Sequence, residues 1–172
     1  VEALRRKSGR VIEVAPGRRL QRNAGGQVEE AAFAAEPEFS LAKREVSLDA
    51  QAGEAEFGGL KIRWERLAGG LAKWREIGQA EGREAFDAES FGQAITLRHW
   101  QPGDRFHPIG QAGTAKLQDL FVNQKIPKAE RRKLVVAEAA DGRLFWVRHL
   151  RIADPFKVTE ATRELLLFSW RE

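Results

Sequence analysis

The sequence predicts a β-rich α+β fold in two small domains, 1–92 and 93–172, and three observations predict it. Apolar–polar alternation recurs in short runs, as in Leu60-Lys61-Ile62-Arg63-Trp64 and Ile95-Thr96-Leu97-Arg98-His99, the two-residue period of half-buried strands. Turn chemistry separates such runs at Ala15-Pro16-Gly17, Pro102-Gly103-Asp104 and Asp141-Gly142. Helical periodicity is confined to brief pieces, chiefly Leu117, Leu120 and Phe121 at i, i+3, i+4. A chain of 172 residues, 42% hydrophobic and 31% charged, can build one substantial core or two small ones.

In chain order, residues 1–7 read as the last turns of a helix stopped by Ser8-Gly9. Residues 10–14 and 18–22 flank Ala15-Pro16-Gly17 as a hairpin, with a third short strand over 28–35. Arg10, Arg18, Arg19 and Arg22 stud its polar side, either as edge charges that block aggregation or as contacts to a polyanion. Phe39, Leu41, Val46 and Leu48 mark one extended stretch, and 57–64 another, with Gly58-Gly59 as a bulge or tight bend. Residues 66–84 have little periodicity and read as an irregular insertion with a helical piece over 71–77. A strand follows at 84–88, and the domain boundary is placed at Ser90-Phe91-Gly92. Residues 134–136 and 143–147 pair across Asp141-Gly142, and 156–159 and 163–170 close the chain as strands.

Charge is segregated along the chain. Residues 1–25 carry seven Lys/Arg against two Glu, 26–95 carry eight against fourteen acidic residues, and 96–157 carry twelve against six, with all three histidines. Two basic blocks separated by an acidic one predict two cationic surfaces. With no cysteine, disulfides and thiolate metal sites are excluded, and no apolar run approaches the roughly 20 residues of a bilayer span. Residues 1–7 have no apolar region behind their charges, so a signal peptide is not expected, and a cytoplasmic setting is. The absence of any Met suggests a piece excised from something longer.

The densest signals lie in residues 96–133. A strand, a turn, a Gly-rich loop and a short helix ending before Pro127 are framed by Arg98, Arg105, Lys116, Lys125, Lys128, Arg131, Arg132 and Lys133. Cations spread over a strand end, a loop and a helix start suit phosphate contacts, with Arg able to bind bidentately and Lys acting as a mobile point charge. Trp100 is either a core residue or a stacking platform for a base; Leu117, Leu120 and Phe121 are core. Catalytic signals are thin. His99, His107 and Asp104 allow an acid–base pair, and a metal site would need His149 as well. No Gly-x-Ser-x-Gly elbow, phosphate-binding glycine loop or dinucleotide fingerprint occurs, and no metal or catalytic residue is assigned. Asp104 reads as a turn residue that bonds nearby backbone N–H groups or pairs with Arg105.

Leu97-Arg98, Pro102-Gly103-Asp104-Arg105-Phe106-x-Pro108-x-Gly110, Lys116-Leu117-x-Asp119-x-Phe121, Lys125-Ile126-Pro127, Arg131 and Trp146-Val147 follow, in order, a known pattern. It resembles the C-terminal domain of the tRNA(Ile)-lysidine synthetase family, strongly over about 95–160 and weakly before that. The resemblance implies that 93–172 is similar in fold to a domain of the phenylalanyl-tRNA synthetase β subunit, the B3/B4-like fold. It also implies that 1–92 is a β-rich substrate-binding domain. The function implied is to hold tRNA(Ile) with a CAU anticodon while an N-terminal domain ligates lysine to C2 of the wobble cytidine, using ATP and Mg. The Ser-Gly-Gly-x-Asp-Ser loop of that domain is not in this sequence, so the fragment itself is expected to be non-catalytic and without a cofactor. Its partners would be tRNA(Ile) and its own catalytic domain, with no membrane. Arg98, Asp104, Arg105, Lys116, Lys125 and Arg131 match the pattern. Two positions depart from it: Ala115-Lys116 stands where paired lysines are frequent, and His149 where glycine is usual. The alternatives are a protein-interaction or gating module of the same fold that binds no RNA, and a small enzyme using His99, His107 and Asp104.

Overall fold

The computed structural model describes residues 11–15, 18–22, 26–30 and 39–172, which fall into two compact units divided between Glu38 and Phe39. In the first unit, β1 (Val11–Ala15), β2 (Arg18–Arg22) and β3 (Val28–Glu30) form an antiparallel meander, as the turn residues predict. The expected helix over residues 1–7, Arg10 and the rest of the third strand lie outside the described residues, as do the side chains of Arg18, Arg19 and Arg22.

The second unit is built on two four-stranded antiparallel sheets. Its strands in order are β4 (Lys43–Ser47), β5 (Ala52–Phe57), β6 (Leu60–Ala68), β7 (Arg83–Asp87), β8 (Ala94–His99), β9 (Arg105–Phe106), β10 (Ala115–Lys116), β11 (Val135–Ala139), β12 (Leu144–Val147) and β13 (Glu164–Arg171). One sheet has the order β12-β11-β8-β4 and the other β5-β6-β13-β7, while β9 and β10 make a small ribbon. The helices are short: α1 (Leu71–Ile77), α2 (Leu117–Asn123) and α3 (Lys128–Arg131). None among the described residues is long and apolar enough to cross a membrane.

The two-residue period decides which side chains go inside. Leu60, Ile62 and Trp64 of β6 are buried while Lys61 and Arg63 are exposed, and Ile95 and Leu97 are likewise buried on β8. Both sheets contribute to one apolar cluster, so burial of these faces against each other is the main stabilising term. Phe145 sits at its centre, edge-on to Phe86, Phe91 and Phe168 at centroid distances of 5.2, 4.6 and 5.5 Å, the geometry the ring quadrupole favours. Its strand, β12, lies at a sheet edge yet is buried along its length; Ala153 N–H donates to the Phe145 carbonyl at 3.0 Å.

This shared core corrects the boundary expected near residue 92. Strand β4 pairs with β8, and β13 pairs with both β6 and β7, so strands from either side of residue 92 are joined within each sheet. The acidic segment 39–92 is an integral part of the second unit. Gly58 and Gly59, with φ of 57° and 79°, form the two-residue turn between β5 and β6, the tight bend among the expected readings. Strand β5 is not predicted by the sequence pattern, because Ala52-Gly53-Glu54-Ala55-Glu56 has only small residues beside its two glutamates. Leu41, counted toward an apolar stretch, is 84% exposed, and Phe156 lies in a 3-10 turn rather than a strand.

Gly53 pairs with Trp64 across the β5–β6 ladder, and the indole lies where a Cβ would be. Gly53→Ala is expected to destabilise the unit by roughly 1–3 kcal/mol, because displacing a buried ring outweighs the entropy gained by removing glycine. An unchanged urea unfolding midpoint would show that the ring yields without cost.

Candidate nucleic-acid interface

Strand β8 delivers the first of the candidate cations, Arg98, into an ion cluster. Its guanidinium donates to both carboxylate oxygens of Asp104, at 2.8 and 3.0 Å, and to Glu138 of β11 at 2.9 Å. Burial disfavours this charge, but the hydrogen bonds to Asp104 and Glu138 outweigh it and hold the Arg98 pKa above its usual value. The side chains of Arg98, Asp104 and Glu138 are only 18%, 14% and 25% exposed. Arg98 is therefore committed to carboxylates, and the phosphate contact expected of it is set aside. Asp104 is the expected turn organiser, accepting from Gln101 N–H at 2.7 Å, although its cationic partner is Arg98 rather than Arg105.

The turn also fixes the start of α2, because the Asp104 carbonyl accepts from Leu117 N–H at 2.9 Å. Arg105 is exposed on β9, with its guanidinium held by the Thr114 hydroxyl and carbonyl, each at 3.0 Å. Lys116, at the cap position of α2, is exposed.

Helix α2 ends in a Schellman arrangement: Ile126 N–H donates to the Phe121 carbonyl and Lys125 N–H to that of Val122. The residue in the left-handed position, where glycine is favoured, is Lys125, at φ 56°. Ile126 and Phe121 are buried in the apolar cluster beneath, so Lys125 is turned outward on an anchored corner. Pro127 then caps α3, a helix that the sequence pattern of this basic segment does not predict. Lys128, at its start, and Lys133, just after its end, are exposed. Arg131 and Arg132 are half-buried, the former donating to the Ile126 carbonyl at 2.8 Å and the latter lying 4.7 Å over the Phe39 ring.

Trp100 belongs to the core. It is 5% exposed, meets Phe39 and Phe121 edge-on, and donates its indole N–H to the Arg131 carbonyl at 2.5 Å. Stacking on a base is excluded for a ring so placed. The histidines do not assemble with Asp104. His99 packs 5.2 Å from Phe57 with Nδ1 buried and without a hydrogen-bond partner, while His107 Nε2 lies 2.7 Å from the Gln111 carbonyl. His149 adopts φ 68°, the left-handed conformation in which glycine meets no steric cost. Among the described residues no group of three or more His, Asp or Glu is placed to hold a metal ion.

A second charged surface is not visible in the sequence pattern. Arg44, Lys61, Arg63 and Arg171 meet on the outer face of the β5-β6-β13 sheet. Only strand pairing brings these distant positions together.

The architecture is a β-rich α+β fold with a lysine-bearing helical corner set beside a half-buried ion cluster. Residues 95–170 match the family model described as the TilS substrate C-terminal domain. The tRNA(Ile)-lysidine synthase of Clostridium acetobutylicum is 38% identical over 81 residues, covering 47% of this chain and 17% of that protein. The tRNA(Ile)-lysidine synthase of Geobacter sulfurreducens is 32% identical over 99 residues, covering 58% of this chain and 20% of that protein. The matched segment thus spans about a fifth or less of these relatives' lengths. A crystal structure of a TilS C-terminal domain superposes with a TM-score of 0.60 at 22% identity, over 76% of this chain and 97% of that one. The shared fold therefore reaches well beyond residues 95–170.

Proposed function

We propose that this chain is the substrate-holding end of a cytoplasmic tRNA(Ile)-lysidine synthase, a ligase whose ATP- and Mg-dependent chemistry is carried out by another domain. Its own task is to hold tRNA(Ile) with a CAU anticodon in place for lysine transfer. Lys116, Lys125, Lys128 and Lys133, with Arg105, Arg131 and Arg132 beside them, would grip phosphates along the RNA. Duplex RNA offers phosphates and 2′-hydroxyls rather than readable major-groove edges, so the contact would be governed by shape and charge.

The observation that carries this reading is Lys125. A lysine at a left-handed helix terminus costs about 1 kcal/mol relative to glycine, and it projects a cation from a corner that already bears three more exposed lysines. Backbone cost of this kind collects at functional positions, and here it supports a role for the Lys125 charge.

The test is a salt titration of the chain binding tRNA(Ile), with a noncognate tRNA as reference. Affinity is expected to fall linearly on a log–log salt plot with a slope equivalent to several phosphates. Absence of binding even at low salt would overturn the reading.

A further inference from the structure

We propose that the outer face of the β5-β6-β13 sheet is a second contact surface for the phosphodiester backbone of RNA, separate from the α2–α3 corner. The inference rests on the substrate-holding reading above and adds to it a surface that the helical corner does not include. The face forms an open concavity of about 690 Å³, bordered by Arg44, Lys61, Arg63 and Arg171 and by Glu54 and Glu56.

The strand register makes the arrangement unusual. Lys61 of β6 stands directly opposite Arg171 of β13, and like charges opposed on antiparallel strands destabilise a sheet. Strand β5 relieves this only in part. Glu56 lies opposite Lys61 on the other side, but their ion pair is 3.4 Å long, with side chains 69% and 61% exposed, and such surface pairs contribute at most about 1 kcal/mol. Glu54 opposes Arg63, whose other neighbour is Ser169. The carboxylates that border the concavity are thus on the edge strand, while the inner strands carry Lys61, Arg63 and Arg171 there; Glu65 follows Arg63 on the same face of β6, beyond the concavity. Arg44 reaches in from the other sheet, donating to the Glu56 carbonyl at 2.9 Å.

An anionic backbone lying over β6 and β13 would remove the repulsion between Lys61 and Arg171 and meet Arg63 two residues along. Phosphodiesters fit this strip better than a single small anion, because the cations are distributed along a face rather than converging on one point. The contact would be independent of base sequence, since the cations reach phosphates and the aromatic ring bordering the concavity, Trp170, is half-buried and packed 4.8 Å from Trp146.

The deciding experiment compares the full chain with its Arg63→Gln/Arg171→Gln variant, titrating a tRNA(Ile) transcript against salt. The variant is expected to bind at least fivefold more weakly at about 0.1 M salt, with the log–log slope reduced by about two. Its unfolding midpoint should be unchanged or raised, because opposed like charges have been removed. Wild-type affinity and slope in this variant, alongside weakened binding on neutralising the lysine corner, would overturn this inference and leave the substrate-holding reading standing. No binding by the unmodified chain would overturn both. Equal competition by polyglutamate would show a general anion surface and overturn the assignment to RNA.

Discussion

Replacing Arg98 by alanine is expected to destabilise the chain by about 2–4 kcal/mol, enough to lower its urea unfolding midpoint markedly. The loss comes from what remains. Asp104 and Glu138 would face each other, largely out of water, with their shared counter-charge gone. Removing one partner of such a pair costs more than the pair contributes, because the surviving charges are left uncompensated. The damage should spread along the chain, since Asp104 organises the turn whose carbonyl starts α2. Arg98→Lys should recover only part of the stability: it restores the charge but not the planar fork that serves both oxygens of Asp104 and also Glu138. Trp100, buried beside this turn, provides a fluorescence signal for the transition. An Arg98→Ala variant that unfolds like wild type but binds RNA with a lower salt slope would return Arg98 to the phosphate-binding set.

The second large effect concerns the helical corner. Neutralising Lys125, Lys128 and Lys133 together, each to Gln, is expected to weaken tRNA binding roughly tenfold or more at physiological salt. The log–log salt slope should fall by about two to three, near one for each phosphate no longer neutralised. These side chains are exposed, so thermal stability should change little. Lys125→Gly separates the backbone effect from the charge effect at a single position. Glycine adopts φ 56° freely, so this variant should be more stable by up to about 1 kcal/mol while binding RNA less well. Unchanged affinity in the triple variant would remove the corner from the interface.

Much of the fold is legible in the sequence wherever side-chain alternation and turn chemistry coincide. The β8 strand, the Pro102-Gly103-Asp104 turn and the hairpin across Asp141-Gly142 are of this kind, and α2 shows instead through its i, i+3, i+4 apolar stripe. Strand β5 is hidden because its own side chains are mostly small or charged and its neighbour's tryptophan supplies the missing apolar surface. The expected division near residue 92 fails for a different reason. Composition changes there, but strand pairing between segments far apart in sequence leaves no local trace.

The same distinction governs the candidate interface. Cations are plain in the sequence, but whether a given guanidinium meets solvent or a carboxylate depends on its cross-strand neighbours. Arg98 and Glu138 are forty residues apart, and no spacing rule links them. For the outer-sheet surface, alternation assigns Lys61 and Arg63 to the wet side of a strand, yet Arg171 joins them only through the β6–β13 register. His149 is visible as a departure from the expected glycine, and its positive φ shows that the turn keeps the glycine-like conformation.

The place of β13 between β6 and β7 also bears on how the molecule comes to be made. Synthesis proceeds in one direction, and β5, β6 and β7 leave the ribosome long before their central neighbour. Until residues 164–171 emerge, β6 and β7 have no hydrogen-bonding partner between them, and the inner faces holding Ile62, Trp64 and Phe86 lack Leu166 and Phe168 as neighbours. The unit must therefore complete its sheet late, and nascent chains paused before that point would present unpaired strand edges to whatever chaperones attend them.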